Sequence, residues 1–353
     1  MKIAFVGAGN SPHVIKWVNA LAGEGHEVKL FSMPDHKDAY GEIDGKVEIV
    51  YLPTASGENG AKKNASQLKA YLSAESFDAV NAFGMASYGF MAAKAKAERL
   101  LLTSTGLDIY RMKLNGTRSF VMKALKQAKG VLATAPNVIT HIKENYKKEL
   151  RYFAVPFGVN MELFKKDRRA ENENPVFGSV KFLEDYNGVE AVIEAFYKYT
   201  KKYDENARLK IVGDGTEESE LKRKVSELGI SGSVEFTGYV KNSEMPAVLN
   251  TIDVVVQMSP DECLGISGIE AMACEIPMVA SDTNGASEYV LNAVTGYLVK
   301  AGNTDACADR MADLLKDPSA RDRMGGLCRN DVEESYDLKK CLPKYIEALK
   351  SVK

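Results

Sequence analysis

Short runs of consecutive apolar residues recur along the chain, each bounded by glycine, proline or charge. Runs of this kind predict strands buried on both faces of a parallel sheet. Residues 2–6, 25–31, 79–83, 99–103, 176–180, 253–258 and 278–280 have this character. Residues 208–215 and 233–240 each read as a strand entering a glycine turn. Between the first two runs, Val14, Trp17, Val18, Leu21 and Ala22 share one helical face over 13–23. Residues 2–31 therefore form a strand–helix–strand unit with glycines at the crossover, the repeating unit of a doubly wound α/β domain. Residues 217–228 read as a charged helix and 338–349 as an amphipathic one.

The stretch 253–281 carries the most specific pattern. Its apolar run ends at Ser259-Pro260; a helix opens near 265–267, passes Glu270 and stops before Pro277. A Gly265-Ile266-Ser267 turn thus opens a helix behind the carboxyl end of a strand. Unsatisfied backbone N–H groups and the positive end of the helix dipole favour an anion there. Glu262 lies in the preceding loop and Glu270 about one turn inside the helix, so both carboxylates can face one pocket without touching. Read alone, two glutamates eight positions apart are also what a solvated helix start carries.

At 353 residues the chain exceeds what one core fills, so two domains are expected. A hydrophobic content of 45% with 27% charged residues is that of an ordinary globular protein. The net charge of -2 gives no global attraction for nucleic acid. No apolar run approaches the length of a membrane span, and the first residues read as a strand, not a signal peptide. Five dispersed cysteines without paired spacing imply reduced thiols in a cytoplasm and no zinc site. Gly7-Ala8-Gly9 has Pro12 where a third glycine belongs, which argues against a dinucleotide.

Glu262-x7-Glu270, followed by Ala271-Met272-Ala273, Pro277 and an apolar strand, resembles the donor-binding signature of the family 4 retaining glycosyltransferases. The resemblance covers nearly the whole chain. It implies the GT-B fold: two Rossmann-like doubly wound α/β domains facing a central cleft. The expected domains are 1–164 on the acceptor side and 170–335 for the nucleotide-sugar donor, with a helix over about 336–353 packing back on the first. The polar stretch 165–174 reads as the linker.

By resemblance, Glu262 lies by the donor sugar and phosphates, and Glu270 binds the ribose. Lys181 stands where the family places an arginine that neutralises the donor diphosphate, and Asn187 where it places a lysine. Together with the backbone of Gly265, Ile266 and Ser267 and the Gly9-Asn10 loop, Lys181 is expected to hold the phosphates. Backbone around Gly238 and Val240 is expected to read the nucleobase, and His13 to hydrogen-bond an acceptor or phosphate. Thr105 replaces a histidine common in relatives, which leaves Asp108 as the candidate for contacting the acceptor hydroxyl; its alternative role is a helix cap. The basic stretch 118–151, with interleaved Phe120, Val121, Met122, Leu125 and Tyr146, matches either a face docking on an anionic membrane or a solvated helix face.

These features imply a metal-independent retaining glycosyltransferase without a cofactor. It would move sugar from a nucleotide diphosphate sugar, UDP-linked on family frequency, to a glycan or lipid-linked acceptor of surface polysaccharide or glycolipid. The expected location is cytoplasmic, peripheral to the inner membrane face if the basic stretch docks. The alternatives are a GT-B sugar-nucleotide epimerase and a nucleotide-sugar-binding protein without catalysis, the latter motivated by Thr105 and Asn187.

Overall fold

The computed structural model describes residues 1–57, 59–110, 117–167 and 172–353. The backbone divides into two compact units, 1–157 with 339–353, and 158–338. The start of the second domain expected at residue 170, and the middle of the 165–174 linker, lie outside the described residues. On its near side the segment is anchored: Asn250 Nδ2 donates to the Lys165 carbonyl, and Asp167 N–H donates to Asn250 Oδ1.

The first unit is built on seven parallel strands: β1 (Lys2–Val6), β2 (Glu27–Ser32), β3 (Glu48–Tyr51), β4 (Ala79–Phe83), β5 (Leu100–Ser104), β6 (Gly130–Ala133) and β7 (Arg151–Ala154). Their order is β3-β2-β1-β4-β5-β6-β7, so the winding reverses between β1 and β4. In such sheets the crevice at the carboxyl ends of the strands, at the reversal, is where ligands bind. β4, β5 and β6 are buried at every position, as their continuous apolar sequences require. The edge strands β3 and β7 are only partly covered.

The Pro12–Gly23 helix buries Val14, Ile15, Trp17, Val18, Leu21 and Ala22 on one face. The last helix, Leu338–Lys350, lies in this unit from Lys339 onward. Its Tyr345 ring stacks on Trp17 at 4.1 Å, and its hydroxyl donates to Asn81 Oδ1 at 2.9 Å. That bond satisfies a polar group buried in the middle of β4.

The basic stretch 118–151 is not one helix. It comprises the Thr117–Gln127 helix, β6, the Pro136–Tyr146 helix and the start of β7. Val121, Leu125 and Tyr146 point into the core, while Arg118, Lys123, Lys126, Lys143 and Lys147 are exposed. Arg118 lies over the Tyr146 ring and Lys143 over that of Tyr152. Among the described residues, no helix is long and apolar enough to cross a membrane.

The second unit repeats the plan with six parallel strands: β8 (Val176–Val180), β9 (Arg208–Val212), β10 (Val234–Gly238), β11 (Val254–Gln257), β12 (Met278–Ser281) and β13 (Gly296–Val299). Their order, β10-β9-β8-β11-β12-β13, reverses between β8 and β11. The Ile266–Ala273 helix joins β11 to β12 and buries every residue from Gly268 to Ala273. Arg329 caps its far end, donating to the carbonyls of Ala273, Phe164 and Met161.

Candidate active site

In the second unit the carboxyl ends of β8 and β11 bring four of the expected groups together. Lys181 directly follows β8, and its corner is held by Lys181 N–H on the Val212 carbonyl and Leu183 N–H on that of Asp214. Its Nζ lies on the Glu262 carboxylate, with only 11% of one side chain and 12% of the other exposed. Glu262 belongs to the loop after β11, so the contact joins the two strand ends that flank the reversal. The Ile266–Ala273 helix opens beside this pair, with Gly265 in the cap position.

Ser267 is committed to the protein. Its hydroxyl donates to the Val180 carbonyl at 2.7 Å and accepts from Gln257 Nε2 at 3.0 Å. What remains for an anion at this tip is backbone N–H, the group that helix geometry leaves unsatisfied in the first turn. Glu270, one turn on, is 6% exposed, and its Oε1 accepts from Asn242 Nδ2 at 3.2 Å. A nearly buried carboxylate on a helix otherwise lined by apolar residues is costly unless paired, and Asn242 supplies one partner.

Two of the expected donor-binding residues also have protein partners. Asn187 was expected to offer its amide to the diphosphate. Its Nδ2 donates one proton to the Phe182 carbonyl at 2.8 Å, closing the 182–187 loop on itself. Gly238 ends β10 with φ of +73°, and its carbonyl accepts from Gly213 N–H and the Thr237 hydroxyl. That carbonyl therefore serves the β9–β10 connection. Val240 follows, half-buried against the core.

In the first unit, Gly9, Asn10 and His13 follow β1 at the winding reversal. The Gly9-Asn10 loop was expected at the donor phosphates. Gly9 is buried, and its N–H donates to Ser32 Oγ at 3.0 Å, so it locks the loop against the end of β2. Asn10 is exposed. The His13 ring stacks on Phe157 at 4.3 Å and 17°. Burial, with Lys16 adding to it, lowers the imidazole to about 3, so the His13 ring is neutral near pH 7.

Asp108 accepts from Met85 N–H at 2.8 Å, Ser104 Oγ at 2.6 Å and Gly106 N–H at 3.1 Å. It sits inside the first turn of the Leu107–Tyr110 helix and clamps the β4 and β5 loops together. Burial raises its carboxyl above the usual range against the pull of those three donors. Gln257, Tyr289, Asn242 and Ser32 escaped the sequence reading. Gln257 alone carried a signal, a polar residue closing the buried run Val254-Val255-Val256.

Residues 160–329 match the family model described as Glycosyl transferases group 1, and residues 2–140 match Glycosyl transferase 4-like. N-acetyl-alpha-D-glucosaminyl L-malate synthase of Bacillus anthracis is 27% identical over 267 residues, 72% of this chain and 69% of its own. A GDP-mannose-dependent alpha-(1-6)-phosphatidylinositol monomannoside mannosyltransferase of Mycolicibacterium smegmatis is 27% identical over 257 residues, 68% of this chain and 67% of its own. Anabaena HepE, solved in complex with UDP and glucose, superposes with a TM-score of 0.82 at 19% identity, covering 99% of this chain and all of that one. The two family matches, lying one on each parallel sheet, make the protein a glycosyltransferase of family 4 with the GT-B fold.

Proposed function

We propose that the protein is a retaining, metal-independent glycosyltransferase that takes a sugar from a nucleotide diphosphate sugar, UDP-linked by preference. Its acceptor is a glycan or lipid-linked sugar of surface polysaccharide or glycolipid synthesis. The observation that carries this reading is the Lys181–Glu262 pair beside the helix tip at Gly265, with Glu270 buried one turn along. The HepE complex with UDP supports a uridine donor, and the name of the phosphatidylinositol monomannoside mannosyltransferase supports a lipid-borne acceptor.

In the proposed reaction the bond from the anomeric carbon to the diphosphate oxygen breaks, and the electron pair leaves with the nucleoside diphosphate. Lys181 and the N–H groups of Ile266 and Ser267 offset that growing charge, the kind of fixed electrostatic stabilisation that contributes most in many enzymes. The acceptor hydroxyl attacks the same face and passes its proton to the departing phosphate oxygen, so configuration is kept without a dedicated protein base. Glu262 holds the sugar and Glu270 the ribose.

A thermal-shift screen against UDP-, GDP- and ADP-sugars in EDTA tests the reading. One nucleotide class raises the melting temperature, by the equivalent of about 2.7 kcal/mol at a hundred times its dissociation constant. The same class releases its sugar to an acceptor, or slowly to water, with EDTA present. No shift with any class, or turnover only with added divalent cation, contradicts the proposal.

A further inference from the structure

Tyr289 lies away from every signature residue in sequence, yet a chain of three hydrogen bonds runs from it to the Lys181 corner. Its hydroxyl meets Gln257 Oε1 at 3.2 Å, Gln257 Nε2 meets Ser267 Oγ at 3.0 Å, and Ser267 Oγ meets the Val180 carbonyl at 2.7 Å. The direction of the chain is forced. A carbonyl only accepts, so Ser267 donates to Val180. The serine oxygen then accepts, which requires the NH2 of Gln257, and the amide oxygen left over takes the proton of Tyr289. Every member thus has one role.

The chain ends on Val180, the residue before Lys181, and passes through Ser267 in the first turn of the donor helix. It ties together the two elements proposed to hold the diphosphate. Tyr289 also braces that turn sterically. A Cβ on Gly265 would stand 2.2 Å from the Tyr289 hydroxyl, and one on Gly268 would stand 3.0 Å from its ring. Four residues earlier, a Cβ on Gly285 would stand 2.2 Å from the Glu262 carbonyl, so one short segment backs both the helix tip and the Glu262 loop. Tyr289 is 1% exposed, and burial holds its phenol well above the ordinary range, so it stays protonated and donating.

We propose that Tyr289 and Gln257 are positioning residues for the donor diphosphate, acting through Ser267 to set the spacing between the helix-tip amides and Lys181. The inference rests on the donor site assigned above and adds two residues that need not touch the donor. Stabilising a departing diphosphate depends on donors aimed within a fraction of an ångström, so loosening the relay acts on donor binding first.

The test uses the full chain with Tyr289→Phe, Gln257→Met, Gln257→Glu and Ser267→Ala, titrated with UDP, GDP and ADP by calorimetry alongside donor and acceptor KM. Both Tyr289→Phe and Gln257→Met keep the packing; the first removes one link and the second the two that Gln257 makes. Tyr289→Phe is expected to weaken nucleotide binding and raise donor KM about three- to tenfold, the range of one hydrogen bond, and Gln257→Met at least as much, with acceptor KM unchanged. Their melting temperatures fall by no more than about 4 °C. Gln257→Glu can accept from Tyr289 and Ser267 at once, turns the serine proton away from Val180, and shows the largest loss. Ser267→Ala cuts the chain at its centre, removes no bulk, and gives the same donor-specific loss, so the test survives if a Tyr289 variant does not fold. Unchanged nucleotide affinity and donor KM in Tyr289→Phe, Gln257→Met and Ser267→Ala, whatever their stability, overturn the relay. Wild-type protein that binds none of UDP, GDP and ADP overturns instead the donor-site reading beneath it.

Discussion

Replacing Lys181 by methionine separates the stabilising contribution of its ammonium from its contribution to binding. Lys181 and Glu262 form a pair with about one-tenth of each side chain exposed. Unit charges 4 Å apart attract by about 4 kcal/mol at an effective dielectric constant near 20. Removing one partner of a fully buried pair costs about 3–5 kcal/mol, because the other charge is stranded. The residual exposure admits some water, so Lys181→Met is expected to lose about 2–3 kcal/mol. Adding Glu262→Gln removes the stranded carboxylate, and the double variant returns to within about 1 kcal/mol of wild type. Nucleotide binding behaves otherwise: it falls in the single variant and stays low in the double one, since both lack the Lys181 ammonium. Urea unfolding followed by circular dichroism, with and without UDP or GDP, measures both quantities. A Lys181→Met protein as stable as wild type refutes the pairing, and a double variant with wild-type nucleotide affinity refutes the role of Lys181.

Three further expectations concern other parts of the chain. Folded protein keeps His13 neutral down to about pH 3, whereas an unfolded imidazole takes up its proton near 6.5. The unfolded state therefore binds more protons in that window, and stability falls as pH drops through it, by no more than about 1.4 kcal/mol per unit. His13→Phe flattens this limb in urea unfolding at a series of pH values; an identical slope contradicts the assignment. Tyr345→Ala removes a fully buried ring from Trp17 and a bond from Asn81, and is expected to cost about 3–5 kcal/mol. Tyr345→Phe costs about 1 kcal/mol, both read through the fluorescence of Trp17, the only tryptophan. All five cysteines are buried, and burial pushes the thiols of Cys274, Cys307 and Cys328 up to about 12. Native protein at pH 7.5 should show almost no reaction with a thiol reagent until denaturant is added.

The strands that were legible in the sequence are the ones buried on both faces. Val254-Val255-Val256 and Leu100-Leu101-Leu102 announce themselves because a parallel strand between two helical layers needs apolar residues at every position. Edge strands lack that pressure. Glu48–Tyr51 and Arg151–Ala154 mix charge with aromatic residues and escaped detection, and Gly130–Ala133 was hidden by the lysines around it. Site residues followed the same logic. Glu262, Gly265 and Glu270 stand in one contiguous stretch, so local spacing exposes them. Tyr289 and Asn242 reach the helix from distant loops and carry no local pattern. Side-chain commitments were also invisible: nothing in the sequence shows that Asn187 closes on Phe182 or that Gly9 gives its amide to Ser32.

The central claim is that one helix tip and one lysine in the second unit grip the donor's pyrophosphate. Soaking crystals with the nucleotide sugar that most raises the melting temperature tests it most directly. The predicted density places the pyrophosphate between Lys181 Nζ and the N–H groups of Ile266 and Ser267, with Glu270 on the ribose. A donor bound elsewhere, or a pyrophosphate whose charge is met by a metal ion instead of Lys181, would contradict it.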